Sequence, residues 1–183
     1  MKSNLRLTAV KIRNFGWIAC AYTRFGLLQS ALFHDSETQA MTALQNTIVS
    51  FSNGVAAEPV SDRDRFWQDT CVQFFIGGKP ARQPESVPLD DRLWTGFQKT
   101  VYQTLRHTVR WGETITYGEL ATRSNCFGAA RAVGTAMARN RCAPFVPCHR
   151  VIQAGGGIGR YSGMGGADLK ALLLRFEAKS LEG

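Results

Sequence analysis

The sequence predicts an α/β protein in two parts: a small antiparallel sheet with helices over residues 1–80, then a mostly helical domain over 88–183 that contains a helix-turn-helix. Three observations carry that expectation. Apolar and polar residues alternate through the positions up to Phe33, the period of half-buried strands. Three prolines fall within residues 79–88, which reads as an extended linker and so as the domain boundary. Beyond it, apolar residues recur every three or four positions, as on the buried face of helices. With 183 residues, 44% of them apolar, the chain has the material for a core in each part.

In chain order, 5–12 and 17–22 alternate, with Asn14, Phe15 and Gly16 as the turn between them, and 26–33 follows as the third strand of a meander. Asp35 or Ser36 can cap a helix running to about Phe51, with Ala40, Met41, Leu44 and Ile48 at helical spacing. A loop of small and polar residues covers 52–60, then 62–75 is helical and Gly77-Gly78 stops it. This part shows no catalytic constellation and reads as a scaffold. In the second part, 93–109 sets Phe97, Val101 and Leu105 four residues apart and ends near Trp111 and Gly112. Thr116 with Glu119 three residues on is the capping box of a short helix, Asn125 to Gly128 make a turn, and 129–140 is a second helix. Two helices so joined can lay the second against DNA.

That second helix is low in profile. Ala129, Ala130, Ala132, Gly134, Ala136 and Ala138 leave little bulk, while Arg131 and Arg139, with Arg141 just beyond, supply charge. Such a helix suits a sugar-phosphate surface, and equally suits close packing inside a domain. The glycine-dense stretch 154–166 reads either as a loop whose amides approach a ligand or as a floppy surface loop. Residues 167–179 form an amphipathic helix through Leu169, Leu172, Leu173 and Phe176, with Lys170 and Glu177 on one face.

Lys and Arg total 22 against 14 Asp and Glu, a net charge of +8, which favours an anionic partner such as nucleic acid or an acidic membrane surface. The five cysteines, Cys20, Cys71, Cys126, Cys142 and Cys148, are odd in number, and the start of the chain lacks an apolar leader, so an intracellular, reducing setting is expected. No Cys-x-x-Cys pair occurs and His34, His107 and His149 lie far apart, so no metal site is expected. No apolar run approaches the ~18 residues of a membrane span.

The chemistry concentrates in Phe145-Val146-Pro147-Cys148-His149-Arg150-Val151. Thiolate attacks carbon, and a neighbouring imidazole can take the thiol proton, so Cys148 is a candidate nucleophile; the segment by itself equally fits a small buried thiol beside a hydrogen-bonded core histidine. In a regular strand successive side chains diverge, so a turn or a water must connect Cys148 to His149. The imidazole also needs a group to hold its tautomer, for which Asp168, Glu177 and Glu182 are all available.

Pro147-Cys148-His149-Arg150-Val151, with Ala129-Ala130-Arg131-Ala132-Val133-Gly134 and Asn140 before it and Gly159-Arg160-Tyr161-Ser162-Gly163 and Lys170-Ala171-Leu172-Leu173 after it, resembles the O6-alkylguanine-DNA alkyltransferase family. Phe97-Gln98 and Thr116-Tyr117-Gly118-Glu119-Leu120-Ala121 extend the resemblance, which runs from about Pro88 to Glu177. It implies an RNase H-like first domain and a winged-helix-like helix-turn-helix in the second. The implied activity is DNA repair: O6-alkylguanine, with O4-alkylthymine as a second substrate, is flipped from duplex DNA and its alkyl group passes irreversibly to Cys148. The implied protein is a monomer whose partner is double-stranded DNA, with no cofactor and no membrane, in the nucleus or cytoplasm according to the organism.

By motif position the resemblance makes His149 the water-linked base and Glu177 the carboxylate behind it. Arg131 fills the gap left by the flipped base, and Tyr117 donates to the guanine ring and crowds the rotating phosphate. The carbonyls of Val151 and Cys148 read the exocyclic amine, and the Ser162 amide approaches O6 beside Tyr161. Asn140 ties the second helix to the cysteine turn, Arg150 is structural, and Lys170 favours thiolate. The sequence departs from the family pattern where Arg141 follows Asn140, at Cys142-Ala143, and in two extra residues within Met164-Gly165-Gly166-Ala167. Ala143 as a pocket wall offers little surface for a ring, so a benzyl adduct is expected to react poorly. Two other classes compete: a lesion binder without transfer, which retention of Cys148 disfavours, and a turnover cysteine hydrolase, which leaves the basic helix-turn-helix idle.

Overall fold

The computed structural model describes residues 5–13, 15–48, 62–75, 86–159, 161 and 166–179. The chain falls into two compact units, residues 1–90 and 91–183. In the first, β1 (Arg6–Ile12), β2 (Gly16–Thr23) and β3 (Gly26–His34) form an antiparallel sheet in the order β1-β2-β3, with Arg6 opposite Tyr22 and Thr23 opposite Gly26. Two helices follow, α1 (Glu37–Ile48) and α2 (Asp62–Phe75).

The central strand is buried almost end to end because the helices take opposite faces of the sheet. Ala19 and Ala21 pack with Ala40, Leu44 and Ile48 of α1. Cys20 and Tyr22 point the other way, to Cys71 (Sγ–Sγ 3.4 Å) and Trp67 (ring centroids 5.7 Å) of α2. Burying an aliphatic side chain of the size of Leu44 or Ile48 contributes about 2 kcal/mol. Helix α1 starts where expected, with Ser36 Oγ accepting from the Gln39 amide at 3.2 Å. Loop 52–60, Gly77-Gly78 and most of the proline-rich linker lie outside the described residues. The end of that linker belongs to the first unit, since Leu27 N–H donates to Pro88 O and Asp90 N–H to Leu27 O. A Cβ on Gly26, whose φ is +136°, would stand 2.5 Å from Pro88 O, so only glycine admits this approach.

The second unit holds α3 (Gly96–Thr108), β4 (Ile115–Thr116), α4 (Tyr117–Arg123), α5 (Ala130–Ala138), a 3₁₀ turn (Cys148–Arg150), β5 (Val151–Ile152) and α6 (Gly166–Lys179). Helix α3 begins three residues later than its apolar spacing suggests. Thr95 caps it, accepting from Gln98 N–H at 3.2 Å while Gln98 Oε1 accepts from Thr95 N–H at 3.0 Å. The Thr116–Glu119 capping box forms as expected. Helix α5 is two turns and a half long, shorter than 129–140, because Arg139 and Asn140 turn away after Ala138.

Two features of this unit were not expected. The segment after the cysteine turn pairs in parallel with the residues before α4, Ile115 opposite Val151 and Thr116 opposite Ile152, so the turn is stitched to the start of the helix-turn-helix. The buried face of α6 is Leu169, Lys170, Leu173 and Glu177, while Leu172 is 40% exposed. A helix buries charge only where each charge meets a partner, and the partners lie in the cysteine turn. Among the described residues, no helix is long and apolar enough to cross a membrane, and no three His, Cys, Asp or Glu cluster as metal ligands.

Candidate active site

Pro147 cannot continue a helix backwards, and the three residues after it close a single 3₁₀ turn, with Arg150 N–H donating to Pro147 O at 2.9 Å. The turn sends three consecutive side chains inward: Cys148 is 5% exposed, Arg150 1% and His149 wholly buried. Two of them converge on Glu177, one of the three carboxylates open to His149 by position alone. His149 Nε2 lies 2.7 Å from Glu177 Oε1. Arg150 Nε donates to Oε2 at 2.9 Å and Nη2 to Oε1 at 3.0 Å. Arg150 Nη1 reaches Val109 O at 2.8 Å, and Gly112 N–H donates to Glu177 Oε2 at 3.1 Å. Asp168 is exposed on α6, and Glu182 lies outside the described residues.

Burial alone would raise the Glu177 pKa, but the hydrogen bonds and charges of His149 and Arg150 outweigh it and bring it down to about 2. Glu177 is therefore an acceptor only, so His149 Nε2 carries the hydrogen and Nδ1 is left with its lone pair. Nδ1 is buried and meets no hydrogen-bonding atom among the described residues. Burial keeps the imidazole pKa below its ordinary value, although Glu177 pulls it up. The result is a neutral, oriented base.

On the other side of the turn, Asn140 Nδ2 donates to Cys148 Sγ at 3.0 Å and to Val146 O at 2.8 Å, while its Oδ1 accepts from Cys142 N–H at 3.0 Å. Burial raises the thiol pKa, against the Asn140 hydrogen bond, the Tyr161 hydroxyl and the Lys170 charge, which all favour thiolate. The buried Tyr161 hydroxyl stands close to the sulfur without closing a regular hydrogen bond to it. Lys170 Nζ donates to Val151 O at 2.6 Å and lies 5.9 Å from the centre of the Tyr117 ring.

The sulfur opens onto a cavity of about 490 Å³ lined by Tyr117, Gly134, Met137, Ala138, Gln153 and Tyr161. Tyr117 comes from the first turn of α4, and Gly134, Met137 and Ala138 from α5, so the helix-turn-helix forms the wall. Neither Cys142, which is fully buried, nor Ala143 lines it, so the expected wall at Ala143 is replaced by α5. Arg131 is exposed on α5 beyond the cavity. Ser162 and Arg160 lie outside the described residues. The sequence offered no sign of Gln153 or Met137 as lining, nor of Val109 and Gly112 as clamps on the Arg150–Glu177 pair.

Residues 96–179 match the profile of the family described as 6-O-methylguanine DNA methyltransferase, DNA binding domain. A methylated-DNA–protein-cysteine methyltransferase of Mycobacterium leprae is 41% identical over 125 residues, 68% of this chain and 67% of that protein. The chain belongs to this methyltransferase family. The bifunctional transcriptional activator/DNA repair enzyme Ada of Escherichia coli K12 is 43% identical over 151 residues, which span 82% of this chain and 40% of Ada. The OGT of Mycobacterium tuberculosis, solved in complex with DNA, superposes with a TM-score of 0.69 at 30% identity, covering 94% of both chains. The O6-methylguanine-DNA methyltransferase of Pyrococcus kodakaraensis superposes with a TM-score of 0.72 at 28% identity, covering 94% of this chain and 98% of that one.

Proposed function

We propose that this protein repairs O6-alkylguanine in double-stranded DNA by moving the alkyl group to Cys148, once per molecule. The observation that carries the reading is the Cys148 sulfur at the floor of a cavity walled by the helix-turn-helix, with a neutral His149 held behind it by Glu177. The target atom is stacked inside the duplex, so the base must leave the helix to reach such a sulfur. Residues 1–80 then serve as an RNase H-like scaffold, and 88–183 as a winged-helix-like domain that binds DNA and accepts the alkyl group. The charge of +8 matches a polyanion. We infer a monomer working inside the cell, with O4-alkylthymine as a second substrate.

In the reaction the Cys148 thiol gives its proton, through one water, to His149 Nδ1, and the imidazolium is stabilised by Glu177. The thiolate attacks the alkyl carbon, the carbon–O6 bond breaks and its electron pair stays on the guanine. Tyr117, whose pKa burial raises, keeps its proton at neutral pH and donates towards the ring as that charge develops. The product is a thioether, which water does not cleave, so the acceptor is consumed. Arg131 takes the place of the extruded base, Asn140 holds the turn and the thiolate, and the carbonyls of Cys148 and Val151 with the Ser162 amide read the guanine edge. Of these carbonyls, Val151 O already accepts from Lys170 Nζ and keeps its second lone pair for the base.

A radiolabelled methyl group on O6-methylguanine in duplex DNA tests this. The expected result is label on Cys148 at no more than one per protein, abolished in Cys148→Ala, which should still bind the duplex within about twofold of wild type. Tight binding without transfer would indicate a lesion binder, and repeated turnover a hydrolase.

A further inference from the structure

We propose that Phe127 is an apolar wedge that packs into the duplex beside the lesion and lowers the cost of extruding the base, a role that rests on the DNA-repair reading above. Phe127 is 76% exposed, the most exposed large apolar side chain among the described residues. Single exposed apolar residues are common and need no explanation by themselves. This one is distinguished by where it stands and by how firmly it is held.

The α4–α5 turn is closed on both sides of Phe127 by backbone hydrogen bonds. Ser124 N–H donates to Leu120 O, Asn125 N–H to Thr122 O, Cys126 N–H to Ala121 O at 2.9 Å, and Ala129 N–H to Cys126 O at 3.1 Å. Asn125 at φ 55° and Gly128 at φ 72° supply the two left-handed residues that this path needs. Phe127 therefore sits at the apex of a hydrogen-bonded turn and is presented to solvent by it. A floppy loop would lose the benefit of an aromatic ring in ordering it.

The apex immediately precedes α5. In a helix-turn-helix the start of the second helix lies nearest the DNA. The exposed face of α5 carries Arg131 and Thr135 among alanines, with Arg139 exposed at its C-cap, a surface that suits DNA and leaves nothing bulky to hold the helix off. Phe127 precedes Arg131 by four residues. The pair would enter the duplex together, the ring against the deoxyribose and base edges and the guanidinium in the vacated stack. Apolar side chains used this way part neighbouring base steps and offset the unstacking cost by the contacts they add.

The test compares wild type, Phe127→Ala and Phe127→Leu on three substrates: paired duplex DNA with O6-methylguanine, the same lesion opposite an unpaired gap, and free O6-methylguanine base. The wedge predicts that Phe127→Ala transfers about tenfold more slowly from paired duplex. It predicts most of that loss recovered on the gapped duplex, where unstacking is already cheap, with Phe127→Leu intermediate and free-base transfer unchanged. Equal rates for Phe127→Ala and wild type on paired duplex would overturn it. So would an equal loss on all three substrates, which would mark damage to the Cys148 centre, or an equal loss on both duplexes, which would mark a contact that does not part the stack. Absence of transfer from any substrate by wild type would instead overturn the repair reading, and this proposal with it.

Discussion

Burial holds His149 neutral by pushing its pKa below the ordinary value, against Glu177, which pulls it up. A base works while unprotonated, so the transfer rate should hold as the pH falls to about 6.5, where an ordinary histidine is half protonated, and decline only below that. Glu177→Gln removes the contribution that raises the imidazole pKa. The acid limb of the pH–rate profile should then move to lower pH while the plateau falls at least ~10-fold, since general-base help is worth roughly 10²–10⁴. A limb that moved to higher pH would contradict the geometry. Stability follows the same residues. Glu177 titrates at about 2 when folded and near ~4.3 when unfolded, so its contribution is present above ~4.3 and is lost as the pH falls towards 2. His149, also depressed on folding, adds a loss in the same direction below ~6.5. Urea midpoints at pH 7, 5 and 3 should fall in that order. Glu177→Ala, which strands the buried Arg150, should cost about 3–5 kcal/mol at pH 7.

At the scale of elements, the site depends on how a helix ends and how another begins. Asn140 lies where α5 has just stopped, so its side chain is free to bind Val146 O, Cys142 N–H and the Cys148 sulfur together. Asn140→Ala removes all three of these hydrogen bonds from a buried turn, and should lower stability by about 1–3 kcal/mol and slow transfer. Asn140→Asp keeps the Cys142 contact but sets an acceptor against Val146 O and the sulfur, so it should recover neither stability nor rate, as followed by denaturation and single-turnover kinetics. The Thr116 cap carries less of the chemistry. Thr116→Ala should cost ~1 kcal/mol in stability and alter the rate only as far as Tyr117, its neighbour in the first turn of α4, is loosened.

For the whole molecule, the excess of 22 basic over 14 acidic residues makes salt the main control on DNA affinity. The logarithm of the binding constant should fall linearly with that of salt concentration, at about 0.9 per phosphate neutralised. If Arg131 enters the stack and does not pair with phosphate, Arg131→Ala should slow transfer from duplex DNA while leaving this slope nearly unchanged, a comparison made by titration at several salt concentrations.

Several features were legible before folding because they are local. The alternation of β1–β3, the capping box at Thr116, the low profile of α5 and the adjacency of Cys148 to His149 each depend on residues a few positions apart. The sequence by itself determined that a thiol and an imidazole would stand side by side, joined by a turn or a water, and that a basic helix-turn-helix would precede them. Tertiary structure decided what the turn meets. Position along the chain does not choose among Asp168, Glu177 and Glu182, and it is the docking of α6 that brings Glu177 to 2.7 Å from His149. The same docking buries Lys170 and Glu177 where amphipathic spacing points to Leu172, because a buried charge is tolerated where partners distant in the chain surround it. Tertiary packing also makes α5 the cavity wall in place of Ala143, a contact between segments that no spacing along the chain encodes.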